Sequence, residues 1–253
     1  MSSPDGQRLC KRLALAGLAT MVFSSAVMAQ GGSPRGAAGR NCPPPVDHAS
    51  IRSCVIKLNM LQLEDDRAYL VFGDSIVEAA MLRPVCGMTP VNAGFSGAAA
   101  QHLAYNMGFL PHRKFEAVVI ALGVNNAVRR PSPDIEGFRK SYEAIVNEFG
   151  ANESTVLVAD IMPVEKGKEV GDTYFDNDLI LQLNAEIEAL ANRYGITRIH
   201  LHDAFAQADD NSMRPGLTVD GVHLNADGYR IWRRTIAEAV SRKLKCDPTV
   251  SAR

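Results

Sequence analysis

Aromatic side chains are scarce in this chain. Phe, Trp and Tyr make up 6% of its 253 residues, with a single Trp, so a broad aromatic platform for stacked bases is excluded as the main binding device. Charge of one sign is also lacking. With 27 Lys and Arg against 28 Asp and Glu, the formal net charge is −1, which supplies no basic excess and gives no expectation of a nucleic-acid partner. No C-x-x-C is present, which speaks against zinc ribbons and dithiol redox motifs. Beyond the first thirty residues no run approaches the 18 or so consecutive apolar residues of a membrane span. What remains is 46% hydrophobic and 22% charged, the composition of a globular protein long enough for one large core.

The first 29 residues stand apart. Arg8, Lys11 and Arg12 precede an apolar run from Leu13 to Val27, and Val27-Met28-Ala29 places small or slim residues where a signal peptidase reads. Residues 1–29 are therefore expected to be a signal peptide and the protein to be exported, periplasmic or secreted. Residues 30–48, rich in Gly, Ala, Pro and Arg, read as a flexible leader, 49–246 as one domain and 247–253 as a tail. Four cysteines then remain, Cys42, Cys54, Cys86 and Cys246, an even number in an export setting that permits two disulfides.

Past the leader, strand-like and helix-like segments alternate. Strands are expected at Ala68–Phe72, Thr89–Asn92, Ala117–Leu122, Thr155–Ile161 and Ile196–Leu201. Ala117–Leu122 is apolar throughout, as a strand covered on both faces should be. Helices are expected at Ala49–Leu63, Ser75–Leu82, within Gly94–Leu110, and at Pro133–Phe149, Asp178–Tyr194 and Ala226–Leu244. This alternation implies a three-layer α/β/α sandwich around a mostly parallel five-stranded sheet. In such a sheet ligands bind at the carboxyl ends of the strands.

Several motifs fall at those ends. Gly73-Asp74-Ser75 follows the first strand, Asn92-Ala93-Gly94 the second and Gly123-Val124-Asn125 the third; Asp220-Gly221-Val222-His223 precedes the last helix. An Asp three residues before a His can hold the imidazole by Nδ1–H and leave Nε2 free to take a serine proton. A glycine lets a backbone N–H approach a ligand closely, and an Asn amide in the same crevice is a further donor. Serine becomes a nucleophile only when a base takes its proton, and the oxyanion that follows needs donors aimed at it. Each role has one residue here, which makes acyl transfer from an ester the expected chemistry.

In this order the four pieces resemble the blocks of the SGNH hydrolases, the GDSL esterases and lipases, over about residues 68–243. The resemblance implies an SGNH/flavodoxin-like fold with no cofactor and no metal. Ser75 is then nucleophile, His223 the base and Asp220 its orienting partner, and the N–H groups of Ser75 and Gly94 with the Asn125 side chain form the oxyanion hole. One departure from the family pattern stands out: Asn126 occupies the place where Asp often follows the block's Asn. The expected substrate is a small ester or an acylated saccharide with a short acyl group, since no lid-like insertion interrupts the alternation. Two other readings share the motifs: an O-acyltransferase of envelope polysaccharide, and a non-catalytic carbohydrate-binding envelope protein.

Other residues offer competing roles. Gly94-Phe95-Ser96-Gly97-Ala98 nearly spells a G-x-S-x-G elbow, making Ser96 a rival nucleophile. His200, His202 and Asp203 could be read as metal ligands, His102 as a cleft residue, and Arg129 and Arg130 as an anion contact; solvated or packed positions are the simpler expectation for each. The helices leaving the active edge should carry Cys86 and Cys246 to the opposite end of the sheet, which suggests Cys86–Cys246 and Cys42–Cys54 as the pairs.

Overall fold

The structure is a computed structural model, and it describes residues 48–63, 67–110, 113–167, 169–170 and 173–247. The signal-peptide segment, the leader up to residue 47 and Cys42 lie outside the described residues, as does the tail after Asp247. Helix α1 (His48–Leu61) comes first. Strand β1 (Ala68–Gly73), the one-turn helix α2 (Ser75–Glu78) and β2 (Thr89–Gly94) follow, then α3 (Ala100–Tyr105), β3 (Ala117–Ala121), α4 (Ile135–Ala151) and β4 (Val156–Ala159). A small antiparallel pair, β5 (Glu169–Val170) and β6 (Thr173–Tyr174), precedes α5 (Asn177–Tyr194), β7 (Thr197–Ile199), α6 (Leu201–Phe205) and α7 (Ala226–Leu244).

Five strands form one all-parallel sheet in the order β2-β1-β3-β4-β7, the expected three-layer α/β architecture. β1 is buried along its whole length, and so are the first four residues of β3 and all of β4, as strands covered by helices on both faces must be. Phe72 meets Phe149 of α4 edge-on, with ring centroids 5.4 Å apart. The stripe Leu179, Leu183, Ile187 and Leu190 of α5 is buried. Gly73 stands level with Gly94 on one side and Ala121 on the other. The carboxyl ends of three adjacent strands therefore finish together, on either side of the point where the chain reverses its direction across the sheet.

Three local expectations change. The segment 75–82 is helical only to Glu78, because the side-chain amide of Asn92 donates to the carbonyls of Val77, Glu78 and Ala80 and so satisfies the end of the turn. The last strand ends at Ile199, and His200 leads into α6 instead. The β5–β6 pair and α6 were not expected, since strands of two residues and a helix of five are too short to show a period.

Cys86 precedes β2, and Cys246 follows α7, at the end of the sheet remote from Ser75. They form a disulfide across 160 positions with Cα atoms 5.6 Å apart. Among the described residues Cys54 is a free, exposed thiol on α1; Cys42, its expected partner, lies outside them. A cross-link closing so long a loop restricts the unfolded chain strongly. Replacing Cys86 and Cys246 together by Ser should lower the unfolding free energy by about 2–5 kcal/mol, seen in urea melts as a fall in midpoint, while Cys54→Ser should leave the midpoint within experimental error.

Candidate active site

Ser75 is the first residue of α2, directly beyond β1. Asp74 caps this turn through Oδ1, which accepts from Ile76 N at 3.0 Å. The Ser75 side chain stays partly exposed, and its Oγ lies 2.9 Å from His223 Nε2. On the other side of the imidazole, Nδ1 lies 2.7 Å from Asp220 Oδ2. A carboxylate at Nδ1 fixes the proton there and leaves the Nε2 lone pair facing the serine hydroxyl. The structure brings Ser75, His223 and Asp220 together in that order.

The Asp220–His223 loop is held from several directions. An antiparallel bridge joins Thr218 and Leu224, and Val219 N donates to His223 O at 2.8 Å. Asp220 Oδ1 accepts from Val222 N and His223 N at 3.0 and 2.8 Å. Burial pushes the Asp220 carboxyl up, but the hydrogen bonds from the His223 side chain and the two backbone amides outweigh it and hold it below the usual carboxylate range. Behind the loop, Glu165 N donates to Gly221 O at 2.8 Å and the Thr218 hydroxyl donates to the Glu165 carboxylate. Just past His223, Asn225 caps α7 through the amides of Asp227 and Gly228, and Tyr229 of that helix donates its hydroxyl to Ile76 O at 2.8 Å. That last bond ties the histidine's helix to the serine's.

The backbone amide of Gly94 is not free to meet an oxyanion, contrary to the sequence expectation. Gly94 N–H is committed to Asn92 Oδ1 at 3.0 Å, and Gly94 is buried. A Cβ there would lie 2.1 Å from Glu78 N, so this glycine admits the backbone of α2 rather than a ligand. Next in the chain, Phe95 N donates to Gly73 O, Ser96 N to Glu78 Oε2 and Ala98 N to Phe95 O. Among the described residues, Gly97 N–H is the one amide of 94–98 that donates to no protein group. Gly97 is exposed with φ +74° at the third position of the turn Phe95–Ala98, a backbone that favours glycine. The free donor of this loop is thus Gly97, three residues beyond the one expected. Asn125 Nδ2 gives one hydrogen to Ala98 O at 3.0 Å, which orients the amide and leaves its second hydrogen available. Ser75 N–H likewise donates to nothing among the described residues.

The remaining singled-out residues take structural places. Ser96 is an exposed turn residue, while the imidazole that would activate a nucleophile is bonded to Ser75. Asn126 caps α3 from outside, accepting from Ala100 N at 2.9 Å through Oδ1 and donating to Gln101 Oε1 at 2.7 Å. Arg129 faces Asp176 at 3.4 Å, mostly in solvent. His202 is buried at the start of α6 and His200 is exposed, so the two do not share a face as alternate strand residues would. His102 lies exposed on α3.

A brace outside the motifs went unread in the sequence. Arg52 of α1 donates to Gly94 O at 3.0 Å and Asn92 O at 3.3 Å, and Glu78 accepts from Ser96 N at 2.6 Å and contacts His48 at 3.1 Å. Together they pin the start of the turn that carries Gly97. Glu78 stands three residues after Ser75, but nothing local announces its partners, which come from α1 and the far end of β2.

Known proteins resemble the chain in the same region. The sequence model of the GDSL-like lipase/acylhydrolase family matches residues 71–231. No curated protein matches by sequence. Among solved structures, a GDSL-like lipase from Bacteroides thetaiotaomicron superposes with a TM-score of 0.61 at 18% identity, covering 77% of this chain and 99% of that one. A lipase/acylhydrolase from Enterococcus faecalis gives 0.52 at 21% over 73% and 100%. An acetyl xylan esterase gives 0.54 at 24% over 68% and 99%. At these identities the structural likeness is one of fold.

Two outcomes follow from the geometry. Gly94→Ala should cost about 1–3 kcal/mol by overpacking against α2, whereas Gly97→Ala, with nothing within 4 Å of its Cβ, should cost about 1 kcal/mol through its positive φ alone; chemical denaturation separates them. Asp74 is buried, and burial raises its carboxyl from 3.8 to about 6 against the amides of Ile76 and Gly123. A raised carboxyl adds stability that is full below the unfolded value and lost as pH climbs through the folded one. Relative to wild type, Asp74→Asn should therefore gain roughly 2–3 kcal/mol between pH 4 and 6, read as the difference between paired urea melts so that other carboxyls cancel.

Proposed function

The chain belongs to the GDSL-like lipase/acylhydrolase family and is a carboxylic ester hydrolase, and from that premise we propose that it is an exported serine esterase acting on short-chain acyl esters, acetyl esters above all. The observation that carries the reading is the unbroken line of hydrogen bonds Ser75–His223–Asp220, 2.9 and 2.7 Å long.

In this reading Ser75 Oγ attacks the ester carbonyl carbon while His223 Nε2 takes its proton. The oxyanion is met by Ser75 N–H, Gly97 N–H and the free hydrogen of Asn125 Nδ2, three donors that need no rearrangement when charge develops. Asp220 stabilises the imidazolium without taking the proton. As the tetrahedral adduct collapses, His223 returns the proton to the leaving alcohol and the acyl group stays on Ser75. Water then attacks the acyl carbon, loses a proton to Nε2, and the acid departs as the serine hydroxyl is restored.

The short acyl group is supported by the regular alternation of strands and helices, which among the described residues carries no long insertion over the strand ends. Export is supported by the Cys86–Cys246 disulfide, which belongs to an oxidising compartment, and by the pattern of residues 1–29. No helix among the described residues is long and apolar enough to cross a membrane.

The test is turnover of p-nitrophenyl acetate by the purified chain, abolished in Ser75→Ala. Asn125→Ala should lower kcat by roughly 10²–10³ with KM little changed, because the contact strengthens in the transition state. Asn126→Asp keeps the cap on α3 and should stay within a few-fold of wild type, and Ser96→Ala should retain most activity. A dead Ser96→Ala beside an active Ser75→Ala would reverse the assignment.

A further inference from the structure

Across the Phe95–Ala98 turn from Ser75 lies a groove of about 640 Å³, walled by α1 on one side and α3 on the other. Its volume falls in the usual range for small-ligand sites. Two turn residues connect it to the reacting centre. Gly97, whose N–H is free, lines the groove, and so does Ala98, whose carbonyl holds Asn125. α1 lies before the family-matched segment 71–231, and Arg52 fastens it to the end of β2 through Gly94 and Asn92.

The chemistry of the lining excludes several occupants. No Lys, Arg, Asp or Glu lines it among the described residues, so neither a phosphate nor a cationic headgroup finds a counter-charge. A long alkyl chain would cover the His102 imidazole and the Tyr105 hydroxyl without replacing their water hydrogen bonds, at a cost for each. These side chains instead offer donors and acceptors around a floor that includes Phe95 and Leu103. At the rim Tyr105 is 89% exposed, and among the described residues its hydroxyl and the His102 imidazole bond to no protein group. A large aromatic held in water beside hydrogen-bonding side chains suits a ring with an apolar face and a hydroxylated edge.

We infer that this groove is the subsite for the alcohol half of the ester, and that this alcohol is a neutral polyhydroxylated ring, a sugar residue. The inference rests on the esterase reading for which half of the substrate lies there. Tyr105 and His102 are then specificity residues, remote from the bond that breaks.

The test compares two acetyl esters on the full chain: ethyl acetate, whose alcohol is too short to enter the groove, and an acetylated xylo-oligosaccharide as neutral sugar probe. Wild type should show kcat/KM at least tenfold higher for the saccharide. Tyr105→Ala should raise KM for the saccharide about tenfold with kcat nearly constant, and leave ethyl acetate kinetics within twofold. In parallel, the Ser75→Ala chain should bind unacetylated xylotriose by calorimetry, and Ser75→Ala/Tyr105→Ala should not. Equal losses on both esters in Tyr105→Ala, or no preference for the saccharide together with no xylotriose binding, would overturn the inference while leaving the esterase reading intact. If neither ester is hydrolysed, the esterase reading fails, and the calorimetry still decides whether the groove takes a sugar.

Discussion

A single hydrogen bond, from Ser75 Oγ to His223 Nε2, joins residues 148 positions apart, and much of the fold serves to keep its two ends in register. Neither end could hold it alone. A serine at a strand end has free rotamers, and a histidine on a loop has a free backbone. The first is limited by the parallel sheet, where β1 is flanked by β2 and β3 with all three ending level. The second is limited by the 218–224 hairpin and by Asp220, which takes two backbone amides with one oxygen and the imidazole with the other. The Tyr229–Ile76 bond then connects the two supports directly. Preorganisation of this kind places cost in folding rather than in the reaction.

The same economy governs the loop after β2. Four of its five amides are spent inside the protein, on Asn92, Gly73, Glu78 and the turn itself, and one is left over. An uncommitted amide on an otherwise saturated turn is a fixed donor with nowhere else to point. Buried Asp74 contributes from below: its two oxygens hold the amides of Ile76 and Gly123, linking the turn that presents Ser75 to the turn that presents Asn125. A carboxyl that gives up water for two amides is strained electrostatically, which is why burial raises it.

How much of this was legible in the sequence depended on whether the cause was local. The short apolar run Ala117–Leu122 has the length and composition of a buried strand, and the spacing of Asp220 and His223 already lets a carboxylate reach an imidazole. Cys86 and Cys246 could be paired because both lie past the ends of chain segments that leave the active edge. Gly94 misled because a glycine grants close approach to anything; here α2 uses that permission, and only the hydrogen-bond accounting shows that the free donor is Gly97. The early end of α2 was hidden for a similar reason, since the group that terminates it is the Asn92 side chain, fourteen residues beyond Glu78. Arg52 and Glu78 carry no motif, and their value arises only when α1 is laid against the end of β2. Tertiary partners of this kind leave no trace in local pattern.

The central claim is that Ser75 is a nucleophile activated in place by His223, and covalent capture tests it most directly. The folded chain would be treated with an alkyl fluorophosphonate, which reacts with activated serines and mimics the tetrahedral adduct, and then digested and mapped by mass. The account predicts one adduct, on the peptide containing Ser75, formed in the native protein, lost on unfolding and strongly slowed in His223→Ala. An adduct on Ser96, or labelling of Ser75 at the same rate without His223, would contradict it.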